Sequence, residues 1–194
     1  MEKRSLILKV ATTLFATKGF EATPVRRIAA AAELSVPGMF YYFSSKEEIL
    51  FEIMIGFMEE AYKRLEQIIH SDIDPVKKLE RLCSFYVKRY AAHQEELTIL
   101  NSGGKSLTPE HREIFIQKQR IYVEAMEDIL GEFAEKGIIK PIDRAVLTFI
   151  FYGMVHWTST WYDRKGKISP EELGKIISEV FLHGIIRREG LCLN

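Results

Sequence analysis

The sequence predicts an all-α fold of about nine helices, with a three-helix N-terminal domain over residues 1–46 and a larger helical domain over 47–194. Two observations predict it. Apolar residues recur three and four apart along nearly the whole chain, the spacing that builds one face of a helix. Capping residues and first-turn prolines punctuate these stripes at Thr23-Pro24, Asp74-Pro75, Thr108-Pro109 and Ser169-Pro170. There a side-chain oxygen can pair with orphan N–H groups, and the missing proline N–H costs nothing.

The first helix runs from about Lys3 to Thr17 on Leu6, Ile7, Val10, Ala11, Leu14 and Phe15, and Gly19 stops it. Thr23, as cap, and Pro24 open a second helix with the face Val25, Ile28, Ala29 and Ala32. Glu33-Leu34 interrupt it, and Ser35 caps a third helix of barely two turns, Val36 to about Tyr42. Two short helices joined by such a turn form a helix-turn-helix, whose second helix enters the DNA major groove while the first crosses the backbone.

Ser44 and Ser45, followed three residues later by Glu47 and Glu48, form a capping-box signal for a long fourth helix reaching near His70. Asp74 and Pro75 open the fifth, to about His93. A short helix over Glu95 to Leu100 then leads into Asn101–Ser106, the stretch expected to be most flexible. Its GGKS is not a phosphate loop, because the first glycine of that pattern and a preceding strand are missing. Pro109 opens a helix that Gly137 ends. Asp143 to about Tyr162 is apolar nearly all round, so more than one face needs cover. Ser169-Pro170 starts the last helix.

Composition narrows the function. The 194 residues hold 27 basic and 27 acidic side chains, which argues against a protein that coats nucleic acid indiscriminately. The first fifty carry a small positive bias, seven Lys/Arg against five Asp/Glu. No N-terminal run resembles a signal peptide and no apolar run reaches the roughly 18 residues of a membrane span, so the expectation is a cytoplasmic protein with no membrane partner. Cys83, on helix five, and Cys192, in the tail, read as a buried structural thiol and a loose one rather than a disulfide.

Chemistry concentrates at the helix-turn-helix. Val36, Pro37 and Gly38 can approach base edges, with Val36 and Pro37 suited to thymine methyls, while Arg26 or Arg27 can reach a base or a phosphate. Elsewhere no paired carboxylates, nucleophile motif or metal-type cluster stands out. No catalytic residue, metal or cofactor is therefore expected. His156, in the apolar helix beside Trp157, reads either as a ligand contact or as a core or interface histidine. The last two long helices, through Phe149 and through Leu173, Ile176, Ile177, Val180, Phe181, Gly184 and Ile185, would form a four-helix bundle with their symmetry mates in a homodimer.

Gly19-Phe20-Glu21-Ala22-Thr23-Pro24-Val25-Arg26-Arg27-Ile28-Ala29, Ser35, Phe40-Tyr41-Tyr42-Phe43 and Lys46-Glu47-Glu48-Ile49-Leu50 resemble the N-terminal domain of the TetR family of bacterial transcriptional regulators. The resemblance implies backbone contacts from Tyr41, Tyr42 and Lys46. It departs at Glu33 and Pro37, where relatives often carry Gly, and at Gly38 and Phe40, where relatives carry hydroxyls that commonly touch phosphate.

It also implies a small-molecule pocket and dimer contacts in the larger domain. Candidate pocket residues are Phe57, Met58, Phe85, Tyr86, Tyr90 and Tyr122, with Met126, Tyr152, His156, Trp157 and Trp161. The segment Tyr152–Tyr162, with Ile168-Ser169-Pro170-Glu171-Glu172, is similar to the ending of family repressors of fatty-acid or sterol breakdown. That similarity implies an acyl-CoA or another apolar effector. The expected function is thus a ligand-responsive regulator, most often a repressor, on a near-palindromic double-stranded DNA operator. The alternatives are a helical protein-interaction module that binds no DNA, and an all-helical enzyme, which would need a catalytic constellation the chain does not display.

Overall fold

The caps and stripes become nine α-helices among the described residues, 3–163 and 165–185 of the computed structural model. They are α1 (Lys3–Lys18), α2 (Val25–Ala31), α3 (Val36–Phe40), α4 (Lys46–Ile69), α5 (Pro75–Ala92), α6 (Gln94–Gly103), α7 (Pro109–Glu135), α8 (Arg144–Trp161) and α9 (Pro170–Ile185). The caps form largely as expected. Ser35 Oγ accepts from Gly38 N–H, Ser45 Oγ from Glu48, Thr108 Oγ1 from His111, Asp143 Oδ1 from Val146 and Ser169 Oγ from Glu172.

Two compact units result. One is built from Met1–Ala61 and His93–Gln119, the other from Tyr62–Ala92 and the described residues from Arg120 on, so α4 and α7 each give residues to both. The first unit thus takes in more than residues 1–46. In it α1 packs on α2 and α6, and α2 on α3. Ile7, Ala11, Phe15, Ile28, Met39, Phe43, Ile49 and Leu50 make its core. Thr13 donates to Glu95, and Ser106 to Glu21, which tie α1 and the turn after it to α6 and the segment beyond.

Two local expectations change. Thr23 is fully buried and donates to the Gly19 carbonyl at 2.8 Å, while Pro24 takes the cap position of α2 without a side-chain cap. The stretch after Leu100, expected to be flexible, instead continues α6 to Gly103 and adds a short 3₁₀ turn, Gly104–Ser106. Gly103 explains this. A Cβ there would lie 3.0 Å from Met54 Sδ and 3.1 Å from Leu50 Cδ1, so the missing side chain lets α6 lie close on α4.

In the second unit α5 packs on α8 and α9. Leu79, Leu82, Tyr86, Leu147, Phe151, Val155, Leu173, Ile177 and Phe181 are buried there. Lys78, itself buried, is neutralised by Glu132 at 3.0 Å. Cys83 is a free, buried thiol whose pKa burial pushes up to about 12, and Cys192 lies outside the described residues.

Candidate nucleic-acid interface and buried aromatic cluster

The turn between α2 and α3 is built by an unusual backbone at Glu33, whose φ of 56° lies in the left-handed region that glycine occupies at less cost. It hands the chain to Ser35, whose cap starts α3. Met39 and Phe43 point inward and are buried, and the rest of the segment is thereby turned out. Val36, Pro37 and Phe40 are exposed, and Tyr41 is 84 % exposed with its ring edge-on to Tyr42. Gly38 is half-buried, its N–H committed to Ser35. Arg26 and Arg27 are exposed on α2 and form no ion pair among the described residues. A face of small apolar groups, a tyrosine and two guanidiniums suits a groove edged by phosphates.

Lys46 is half-buried and makes contacts within the protein. Its Nζ donates to the Phe20 carbonyl at 3.0 Å and lies 3.9 Å above the Phe20 ring, so this ammonium clips the start of α4 to the turn after α1. Arg4 is likewise engaged, with Glu52 and over the Phe43 ring.

The larger unit separates residues that composition had grouped. Buried Tyr86 and Tyr90 and half-buried Tyr122 and Tyr152 belong to one cluster: the Tyr86 ring lies 5.6 Å from both Tyr90 and Tyr152, and Tyr152 O–H donates to the Tyr122 carbonyl at 2.9 Å. Half-buried Phe85 stacks at a tilt 5.3 Å from Tyr86. Burial raises every one of these phenol pKa values, that of Tyr152 to about 12, so all four are protonated at neutral pH. His156, 5.5 Å from Tyr90, has its pKa lowered by burial and is neutral there. Met126 is fully buried in α7.

Four pocket candidates stand elsewhere. Phe57 and Met58 are buried in the first unit, Phe57 with its ring 5.8 Å from His93. Trp157 and Trp161 are 67 % and 56 % exposed. They share one outer face of α8 with Val146, Phe149, Ile150 and Gly153, a helical stripe of which the sequence assigns Phe149 alone to the interface. The interface residues expected on α9 also split. Leu173, Ile177, Phe181 and Ile185 are buried in the chain's own core, whereas Ile176, Val180 and Gly184 are exposed. The physical cause is the width of the stripe: α9 is apolar enough to serve two faces, and α5 takes one.

A helix-turn-helix with its recognition face turned out, joined through two long helices, α4 and α7, to a second all-helical unit, defines a DNA-binding regulator. The chain belongs to the TetR family. The model described as bacterial regulatory proteins, tetR family, matches residues 7–53, and that of the tetracyclin repressor-like C-terminal domain matches residues 72–185. The HTH-type transcriptional repressor KstR2 of Mycobacterium tuberculosis is 26 % identical over 191 residues, spanning 95 % of this chain and 94 % of that one. The TetR family regulator PfmR of Thermus thermophilus is 29 % identical with a TM-score of 0.84, over 91 % of this chain and 97 % of its own. AibR, solved with isovaleryl coenzyme A and operator DNA, is 26 % identical with a TM-score of 0.84, over 92 % and 97 %. The chain is therefore a transcriptional regulator rather than an enzyme. No helix among the described residues is long and apolar enough to cross a membrane.

Proposed function

We propose that this regulator is a cytoplasmic homodimeric repressor that an acyl-CoA releases from a near-palindromic operator. The observation that carries the DNA half is the outward face of α2 and α3. Arg26, Arg27, Val36, Pro37, Gly38, Tyr41 and Tyr42 meet the duplex, and Ser35 and Lys46 hold the helices that present them. The acyl-CoA half is supported by the isovaleryl-CoA complex of the relative AibR and by a cluster of rings with neutral hydroxyl and imidazole groups, with the Arg89 guanidinium near enough to act on Tyr90 and Tyr122. Residues 1–46 carry DNA recognition, and the remainder carries effector binding and dimerisation.

Two copies joined through the exposed faces of α8 and α9 would put two recognition helices about 34–36 Å apart, one turn of duplex. The effector need only favour a dimer with the wrong separation, and a full switch takes about 10⁴-fold differential affinity. Helix α4 is one covalent link, since it, like α7, supplies residues to both units, and it begins directly after the recognition helix. Gel shifts on DNA flanking the gene, over a salt series with and without acyl-CoAs, test this. Specific binding that falls steeply with salt and is released by an acyl-CoA is expected. Binding that no acyl-CoA disturbs removes the effector class, and absence of specific binding removes the operator reading.

A further inference from the structure

The phenols of the second unit are not equivalent, and the protons of two of them can be assigned. Tyr152 gives its single hydroxyl proton to the Tyr122 carbonyl. The 3.4 Å contact between the Tyr86 and Tyr152 hydroxyls must then have Tyr86 as donor, because a phenol carries one proton. Both protons are committed inside the protein.

Tyr90 differs. Only 8 % of it is exposed, its ring lies between those of Tyr86 and His156, and its hydroxyl makes no hydrogen bond among the described residues. The His156 ring, half-buried on α8, makes none there either. The Tyr90 hydroxyl is not among the sealed polar atoms left without a partner in the described residues, so it meets solvent, and an incoming ligand can replace that water with an acceptor of its own.

We infer that Tyr90 and His156 are the polar anchor of the effector site, the Tyr90 hydroxyl donating to the thioester carbonyl of an acyl-CoA while the neighbouring rings cover the acyl chain. This rests on the acyl-CoA reading and specifies which atom of the ligand is read. The acceptor is uncharged. One phenol proton beside a neutral imidazole satisfies a carbonyl oxygen, whereas a carboxylate would bring a buried charge needing several donors or a cation.

Isothermal titration of the full-length protein with octanoyl-CoA, its thioether S-octyl-CoA and octanoic acid tests the anchor, with isovaleryl- and palmitoyl-CoA covering shorter and longer chains. The thioester is expected to bind roughly tenfold tighter than the thioether, which lacks only the carbonyl oxygen. Tyr90→Phe should bring the two to equal affinity by weakening the thioester alone. Tyr86→Phe, which breaks only the internal bond, should lower Tm and keep the preference. Equal affinities in the unmodified protein would overturn the anchor and leave the acyl-CoA reading standing. Failure of every acyl-CoA to bind would overturn both, and tighter binding of octanoic acid would overturn the uncharged acceptor.

Discussion

Phe149→Glu probes the dimer directly. Phe149 is 64 % exposed at the centre of the α8 stripe. A phenylalanine buries roughly 150–250 Å² when covered. About two thirds of that, roughly 130 Å², corresponds to about 3 kcal/mol at about 25 cal/mol per Å². A twofold interface holds the residue twice, while side-chain ordering and imperfect packing return part of the gain. Phe149→Ala should therefore loosen the dimer by about 3 kcal/mol, on the order of 10²-fold in Kd. Phe149→Glu adds buried like charges and should leave monomers at micromolar concentration. Size-exclusion chromatography with light scattering reads the mass, and a gel shift on the whole operator should weaken in parallel. A dimeric mass for Phe149→Glu would refute the assignment of this face. Ile177→Ala supplies the contrast: it opens a cavity in the protomer core and should lower Tm before it changes the mass.

Glu33→Gly relieves a left-handed backbone position and should stabilise the protein by about 0.5–1 kcal/mol in chemical denaturation, a gain reduced by the entropy of glycine in the unfolded chain. Lys46→Met should cost about 1 kcal/mol of stability and weaken operator binding with the salt slope unchanged; a slope smaller by about one would instead mean a lost phosphate contact. Gly174→Ala puts a Cβ 2.7 Å from the Ser84 backbone, which should cost about 1–2 kcal/mol by denaturation, the clash exceeding the helix propensity gained. The Ser44 hydroxyl, bonded to Glu48, holds that carboxyl below its ordinary pKa despite partial burial. Its stabilisation is thus present above the unfolded carboxylate pKa and lost as pH falls through the folded one. Glu48→Gln should lower Tm at neutral pH and nearly match the parent in acid, the difference tracking a cap of about 1 kcal/mol.

Local chemistry made much of the fold legible. Asp74, Thr108, Asp143 and Ser169 each start a helix where their side chains meet free N–H groups, and Ser35 marks the recognition helix for the same reason. Where a tertiary contact competes with a local signal, the local signal loses. Thr23 has the chemistry of a cap, but its hydroxyl turns to the Gly19 carbonyl in the core. Asn101–Ser106 has the composition of a loop, yet Gly103 packs on α4 and holds the segment helical. Lys46 has the charge for phosphate, and its half-buried ammonium also binds the Phe20 carbonyl and ring, a contact the sequence does not announce.

The sites divide along the same line. An amphipathic period tells how wide an apolar stripe is, and α8 and α9 are each too wide for one neighbour, so the need for a partner surface was readable. Which residue serves which neighbour was not, because Ile176 and Ile177 are adjacent in sequence and alike in chemistry, and only the position of α5 makes one core and the other surface. The same holds with more force for the effector site. Tyr86, Tyr90, Tyr122 and Tyr152 are indistinguishable as letters, and each repeats at core spacing. They separate only when hydroxyl protons are followed to their acceptors: Tyr152 gives its proton to the Tyr122 carbonyl and Tyr86 to Tyr152, whereas the Tyr90 hydroxyl makes no hydrogen bond among the described residues, which is why the proposed anchor falls on it.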